Sequence, residues 1–264
     1  MIENPARQSS PFISMAISQY LHIAVFSLAL SSVSIFAGEP PSTTPATAAA
    51  KSPPKPSEDK VIGNFHSLGE IGGRSNIYRC ANPIGPVTER LKGQPPTDAD
   101  RQEAKERMQH LYQLGVRTVV SLQNQQAPTE SVKNAEYDEV VMEKAAAAEV
   151  GIVFIPYSLS NRGKNSLQYQ SSADVTKVVE AIGNDIVKHS ETGGVAFHCK
   201  SGKDRTGLVA GYLRVKYQHW TVEDALAEMR QNGHVWQKFL KPGAEYSWHE
   251  EHLRAIAAQV APEK

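Results

Sequence analysis

Cys199 and Arg205 stand with Lys200-Ser201-Gly202-Lys203-Asp204 between them, and Thr206-Gly207 follows. Val195-Ala196-Phe197 leads in as the apolar run of a buried strand, and Leu208 to Leu213 reads as the start of a helix. A strand-to-helix turn gathers backbone N–H groups into one concavity, and the helix N-terminus adds partial positive charge. Ser201 and Gly202 would contribute such groups. Arg205 can grip two oxygens of a phosphate at once, because its guanidinium is a planar fork. A free thiol titrates near ~8.5 and surroundings of this kind lower it to roughly 3.5–7.5. Cys199 beneath a bound phosphate is then a nucleophile aimed at phosphorus. Thr206 is placed to hydrogen-bond the sulfur and ease its departure in a second step, and His198 to brace the loop through backbone contacts.

The run His198-Cys199, five residues, then Arg205-Thr206-Gly207 resembles the signature of the cysteine-dependent protein tyrosine and dual-specificity phosphatases. Gly202 to Gly207 is most similar to a bacterial branch that includes secreted enzymes acting on phosphotyrosine and phosphoinositides. Lys200 and Lys203 match the two loop lysines of the phosphatase-and-tensin-homologue lipid phosphatases. Ile77-Tyr78-Arg79-Cys80-Ala81-Asn82-Pro83 resembles the opening segment of bacterial dual-specificity phosphatases, with Cys80 and Asn82 as departures. The resemblance implies phosphate-monoester hydrolysis through a phosphocysteine at Cys199, with no metal and no cofactor. The alternative is a non-catalytic phosphate-binding pseudophosphatase module, since a motif does not prove turnover. A nucleotide P-loop fails, because Gly202-Lys203 is followed by Asp204 and no glycine stands five residues before Gly202.

The 264 residues include 28 basic and 28 acidic side chains, a balance that gives no support for nucleic-acid binding. Two cysteines, Cys80 and Cys199, make no disulfide framework, and the nine histidines show no ligand-like spacing. Residues 1–37 read as a signal peptide or membrane anchor: no charged residue lies between Gln8 and Gly38, and Leu21 to Leu30 is strongly apolar. The protein is expected to be exported, periplasmic or secreted, or else membrane-anchored and so membrane-associated through this segment. Residues 38–60, with six prolines among Ser, Thr and Ala, read as a disordered linker. Residues 61–264 form the expected phosphatase domain.

Within it, Phe65–Leu68, Asn76–Cys80, Val116–Leu122, Ile152–Tyr157 and Val195–Phe197 are strand candidates. Pro83 to Pro96 reads as a loop. Helices are expected from an Asp98 cap to Gly115, from Glu136 to Glu149, from Ser171 or Ser172 through Ile186, after Thr221, and near Tyr246 to Gln259 packed on the outside. Alternating strands and helices predict an α/β fold, a mostly parallel central sheet with helices on both faces, as in the dual-specificity phosphatases. The signature loop then lies beyond the carboxyl end of a strand, where open α/β sheets bind ligands.

The loop Ser158 to Ser166, where this superfamily carries its general-acid aspartate, contains no carboxylate. Asp204 is the nearest acid, and the similar bacterial and lipid-phosphatase loops suggest it takes that role. The competing reading is that Asp204 only fixes the loop by accepting backbone N–H bonds. Lys200 and Lys203 in the loop, with Arg162 and Lys164 in the loop expected to cover it, exceed the cations that one phosphate needs. That surplus favours polyanionic phosphoinositides or inositol phosphates while leaving phosphorylated proteins open, and solvated loop charges are the plain alternative. Cys80 is either a resolving thiol for an oxidised Cys199 or an inert buried cysteine.

Overall fold

The computed structural model describes residues 59–91, 94–129, 136–160, 166–239 and 243–260. The expected leader at 1–37 and nearly all of the linker at 38–60 lie outside them. Among the described residues no helix is long and apolar enough to cross a membrane.

Five strands form one sheet in the order β1-β2-β5-β3-β4, where β1 is His66–Ser67, β2 Ile77–Ala81, β3 Val116–Ser121, β4 Val153–Pro156 and β5 Gly194–Cys199. All pairs are parallel except β1 with β2. Every residue of central β5 is buried, as expected of a strand covered on both faces. Register brings four carboxyl ends together: Ala81 pairs with Cys199, while Ser121 pairs with His198 and Pro156. Cys199 therefore leaves the sheet at the rim where open α/β sheets place ligands.

Seven α-helices are described. On one face lie α2 (Asp98–Gln113) and α3 (Tyr137–Glu149), over a cluster that includes Cys80, Val116, Val119 and Ala196. On the other lie α4 (Ser172–His189), α5 (Asp204–Gln218), α6 (Val222–Gln231) and α7 (Trp248–Gln259), over Val120, Val195, Phe197 and Cys199. The seventh, α1 (Gly85–Leu91), falls in the stretch read as a loop. Pro86 is tolerated there because the first turn of a helix needs no intrahelical N–H partner.

Further departures have local causes. Thr97, not Asp98, caps α2, in a reciprocal box with Asp100. Helix α5 opens at Asp204, a full turn before Leu208, so Asp204, Arg205 and Thr206 sit in its first turn. Helix α7 does not lie on the outside: Trp248, Leu253 and Ile256 are buried in the main core.

Candidate active site

The loop from Cys199 to Asp204 is shaped from behind through its carbonyls. The N–H of Asn82 donates to Lys200 O at 3.1 Å. Asn64 Nδ2 donates to Ser201 O and Gly202 O, each at 3.3 Å, and Arg79 Nη2 donates to Gly202 O at 2.8 Å. In a trans peptide the C=O and the following N–H point opposite ways. Carbonyls drawn outward at 200, 201 and 202 thus turn the N–H groups of Ser201, Gly202 and Lys203 inward. Gly202 alone suits its position: φ is +70°, and a Cβ would stand 2.5 Å from the Cys80 carbonyl oxygen.

Burial pushes the Cys199 thiol up, but the Arg205 charge and the backbone N–H of Thr206 outweigh it. The net effect holds the thiol below its ordinary value, the condition a cysteine nucleophile needs. Arg205 is buried as well. Its Nη1 and Nη2 hold Glu136 bidentately at 2.9 and 2.7 Å, and Nη1 also donates to the carbonyls of Leu122 and Leu159. One edge of the guanidinium is thereby anchored. Nε has no hydrogen-bond partner among the described residues, so the Nε–Nη2 edge retains the fork that a phosphate uses. Burial opposes the carboxylate of Glu136, yet Arg205 holds it below the usual range.

His198 is fully buried, with Nδ1 3.1 Å from the Cys199 carbonyl oxygen and Nε2 2.6 Å from Glu143 Oε1. Burial alone would lower its value; the adjacent Glu143 charge raises it above the ordinary histidine value. Lys200 pairs with Glu139 at 2.9 Å, and Glu139 also accepts from Gln123 at 2.7 Å. Lys203 is exposed, its stem lying over Gly233.

Glu136, Glu139 and Glu143 are the functional neighbours that sequence reasoning missed. Glu136 stands at the N-cap of α3, with Glu139 and Glu143 three and seven residues on, and they meet Arg205, Lys200 and His198 in turn. The surplus of cations read from the sequence is correspondingly smaller, because Lys200 already has a counter-ion. Arg162 and Lys164 lie outside the described residues.

Asp204 has a side-chain partner: His234 Nδ1 lies 2.6 Å from its Oδ1. Cys80 is a correction to the resolving-thiol reading. It registers with His198, and Ala81 with Cys199, so alternation along the strand puts the two thiols on opposite faces of the sheet. Both are free, and burial pushes the Cys80 thiol well up, as for an inert core cysteine. Among the described residues no group of His, Cys, Asp and Glu could hold a metal ion.

A model of the tyrosine phosphatase family matches residues 98–215. No curated protein matches the chain. Among solved structures, P. aeruginosa TpbA is similar at 20% identity, covering 69% of this chain and 86% of that one, with a TM-score of 0.38. The core catalytic domain of the PP-IP phosphatase SIW14 from S. cerevisiae, in complex with citrate, matches at 18% identity, 74% and 85% coverage and a TM-score of 0.40. Human DUSP28 matches at 10% identity, 80% and 98% coverage and a TM-score of 0.41.

Proposed function

We propose that the chain is a member of the cysteine-dependent tyrosine and dual-specificity phosphatase superfamily, as the family match over residues 98–215 supports, and that it hydrolyses phosphate monoesters in two steps through Cys199. The observation that carries this reading is that buried Cys199 leaves the carboxyl end of β5 into a loop whose N–H groups turn inward, with Arg205, its Nε unpartnered among the described residues, in the first turn of α5. In the first step Cys199 Sγ bonds to phosphorus while the P–O bond to the leaving group breaks, and Asp204 gives its proton to the leaving oxygen. In the second step water bonds to phosphorus, the S–P bond breaks, and the water proton passes to Asp204. The inward N–H groups and the free edge of Arg205 stabilise charge on the phosphoryl oxygens throughout.

The Lys200–Glu139 pair moves the substrate reading toward esters recognised through a single phosphate, such as phosphotyrosine, and away from a need for several phosphates on one ring. Cys199→Ser is expected to abolish turnover and the trapped phosphocysteine while retaining vanadate binding, because the cradle is backbone plus Arg205. Rapid-quench trapping with labelled substrate reads the intermediate, and a panel of phosphotyrosine, phosphoserine, phosphoinositide and inositol phosphate ranks the substrates. Turnover in the serine variant, or binding without a trapped intermediate in the wild type, would overturn the assignment.

A further inference from the structure

Asp204 is one end of a chain of side chains that the signature motif does not contain. His234, buried just beyond α6, has Nδ1 2.6 Å from Asp204 Oδ1 and Nε2 3.0 Å from Ser247 Oγ. Ser247 caps α7. Its oxygen accepts from the Glu250 N–H at 3.3 Å, while its own N–H donates to Glu250 Oε2 at 3.0 Å. The cap uses a lone pair of the Ser247 hydroxyl and leaves its proton to be given elsewhere. Given to His234 Nε2, that proton fixes the tautomer, and Nδ1–H then donates to Asp204 Oδ1. Glu250 is itself held by Arg230 Nε at 2.7 Å, and the His234 ring meets His249 edge-on at 5.2 Å. The imidazole is thus fixed on both nitrogens.

We propose that His234, oriented by Ser247, is a positioning residue for proton transfer by Asp204, a proposal that rests on the two-step reading above. With Oδ1 occupied by the His234 N–H, Oδ2 is the oxygen left to carry the proton to the leaving group. When that proton departs, the carboxylate that forms already has a charge-assisted hydrogen bond on Oδ1. In the second step the same bond keeps Oδ2 presented to the attacking water. No net proton is exchanged by His234: one leaves Asp204 in the first step and one returns in the second. The arrangement also accounts for why an acid in the first turn of α5 is tied to a loop before α7. That bond locks the carboxyl rotamer, which a solvent-facing first-turn aspartate would not keep.

The test is the dependence of kcat on leaving group, using a series of aryl phosphates from p-nitrophenyl to phenyl with purified full-length protein. Removing a general acid costs most where the leaving oxygen is most basic, so Asp204→Asn should lose about 10²-fold or more on phenyl phosphate and far less on p-nitrophenyl phosphate. His234→Ala should steepen the same dependence, losing about tenfold on phenyl phosphate. Its KM should move little. His234→Asn, which returns an N–H near the Nδ1 position, should recover most of the loss. In an Asp204→Asn background His234→Ala should add nothing, since residues acting as a unit are not additive. Ser247→Ala supplies a milder version should the alanine at 234 unfold the α6–α7 junction, a point that thermal melting settles for each variant. Equal losses on both leaving groups for Asp204→Asn would overturn its acid role. A selective effect of Asp204→Asn with an unselective or additive effect of His234→Ala and Ser247→Ala would leave the acid in place and overturn the role of His234.

Discussion

His198 and Glu143 are both sealed from solvent, 2.6 Å apart, with His198 immediately before Cys199 in the chain. Taking one partner from a buried pair leaves the other charge uncompensated, which costs about 3–5 kcal/mol. Glu143→Gln should therefore lower the unfolding free energy by about that amount, measured by denaturant titration near pH 6. The pH dependence follows from the direction of the His198 shift. Its folded value lies above the ordinary histidine value of 6.5. The protonated form is thus preferred by the folded state, and the resulting stability is fully present below that ordinary value. It is lost as pH rises through the raised folded value. The gap between wild type and Glu143→Gln should be widest near pH 6 and narrow as the solution becomes alkaline. A gap that stays constant or widens with pH would show that the ion pair contributes no such term. Cys199 titrates in both proteins, so its own contribution largely cancels from the difference.

Among the elements, α3 departs furthest from what its sequence suggested. Its N-cap Glu136, and Glu139 and Glu143 within it, are three acids set against Arg205, Lys200 and His198. Helical periodicity placed the helix itself correctly, and the i, i+3, i+7 spacing of its acids was visible. What was not visible is that α3 lies over the carboxyl rim of the sheet, because that depends on contacts far apart in sequence. The strands, the turn glycines and the signature loop were legible for the opposite reason: each is fixed by local pattern or by a motif whose spacing is its mechanism. The short α1 was hidden because Gly85 and Pro86 look like turn residues unless their first-turn position is known. Releasing Lys200 tests the function of the acidic face. Glu139→Gln should raise activity on an inositol bisphosphate relative to phosphotyrosine by roughly threefold to tenfold through the freed charge. That gain should vanish in a Lys200→Met background and shrink in high salt. An unchanged ratio would make Glu139 a purely structural partner of Gln123 and Lys200.

At the scale of the molecule, the two helical layers depend on how α5 is held, since it carries the site at one end and the main core along its length. Arg214, in the last turns of α5, is buried and donates to Glu228 of α6 through Nε at 3.0 Å and Nη2 at 2.6 Å. Its Nη1 reaches the Leu68 carbonyl just after β1 and Gln218 Oε1, and the Trp220 ring lies 4.5 Å from its guanidinium carbon. One side chain thus joins the edge of the sheet to α5 and α6, and no local pattern in the sequence announces it. Glu228→Gln should cost about 3–5 kcal/mol, because a buried guanidinium then loses its counter-charge. Replacing both partners by apolar residues of similar size, Arg214→Met with Glu228→Leu, should cost less than either single change, because neither charge is left stranded. The Leu68 carbonyl is not orphaned in the double variant, since Gln218 Nε2 already donates to it at 2.7 Å. Chemical denaturation of the two single variants and the double variant closes the cycle. A single variant within about 1 kcal/mol of wild type, the range of an exposed pair, would mean that the junction is held by apolar packing alone. A double variant less stable than either single one would mean instead that the charges are needed for their geometry.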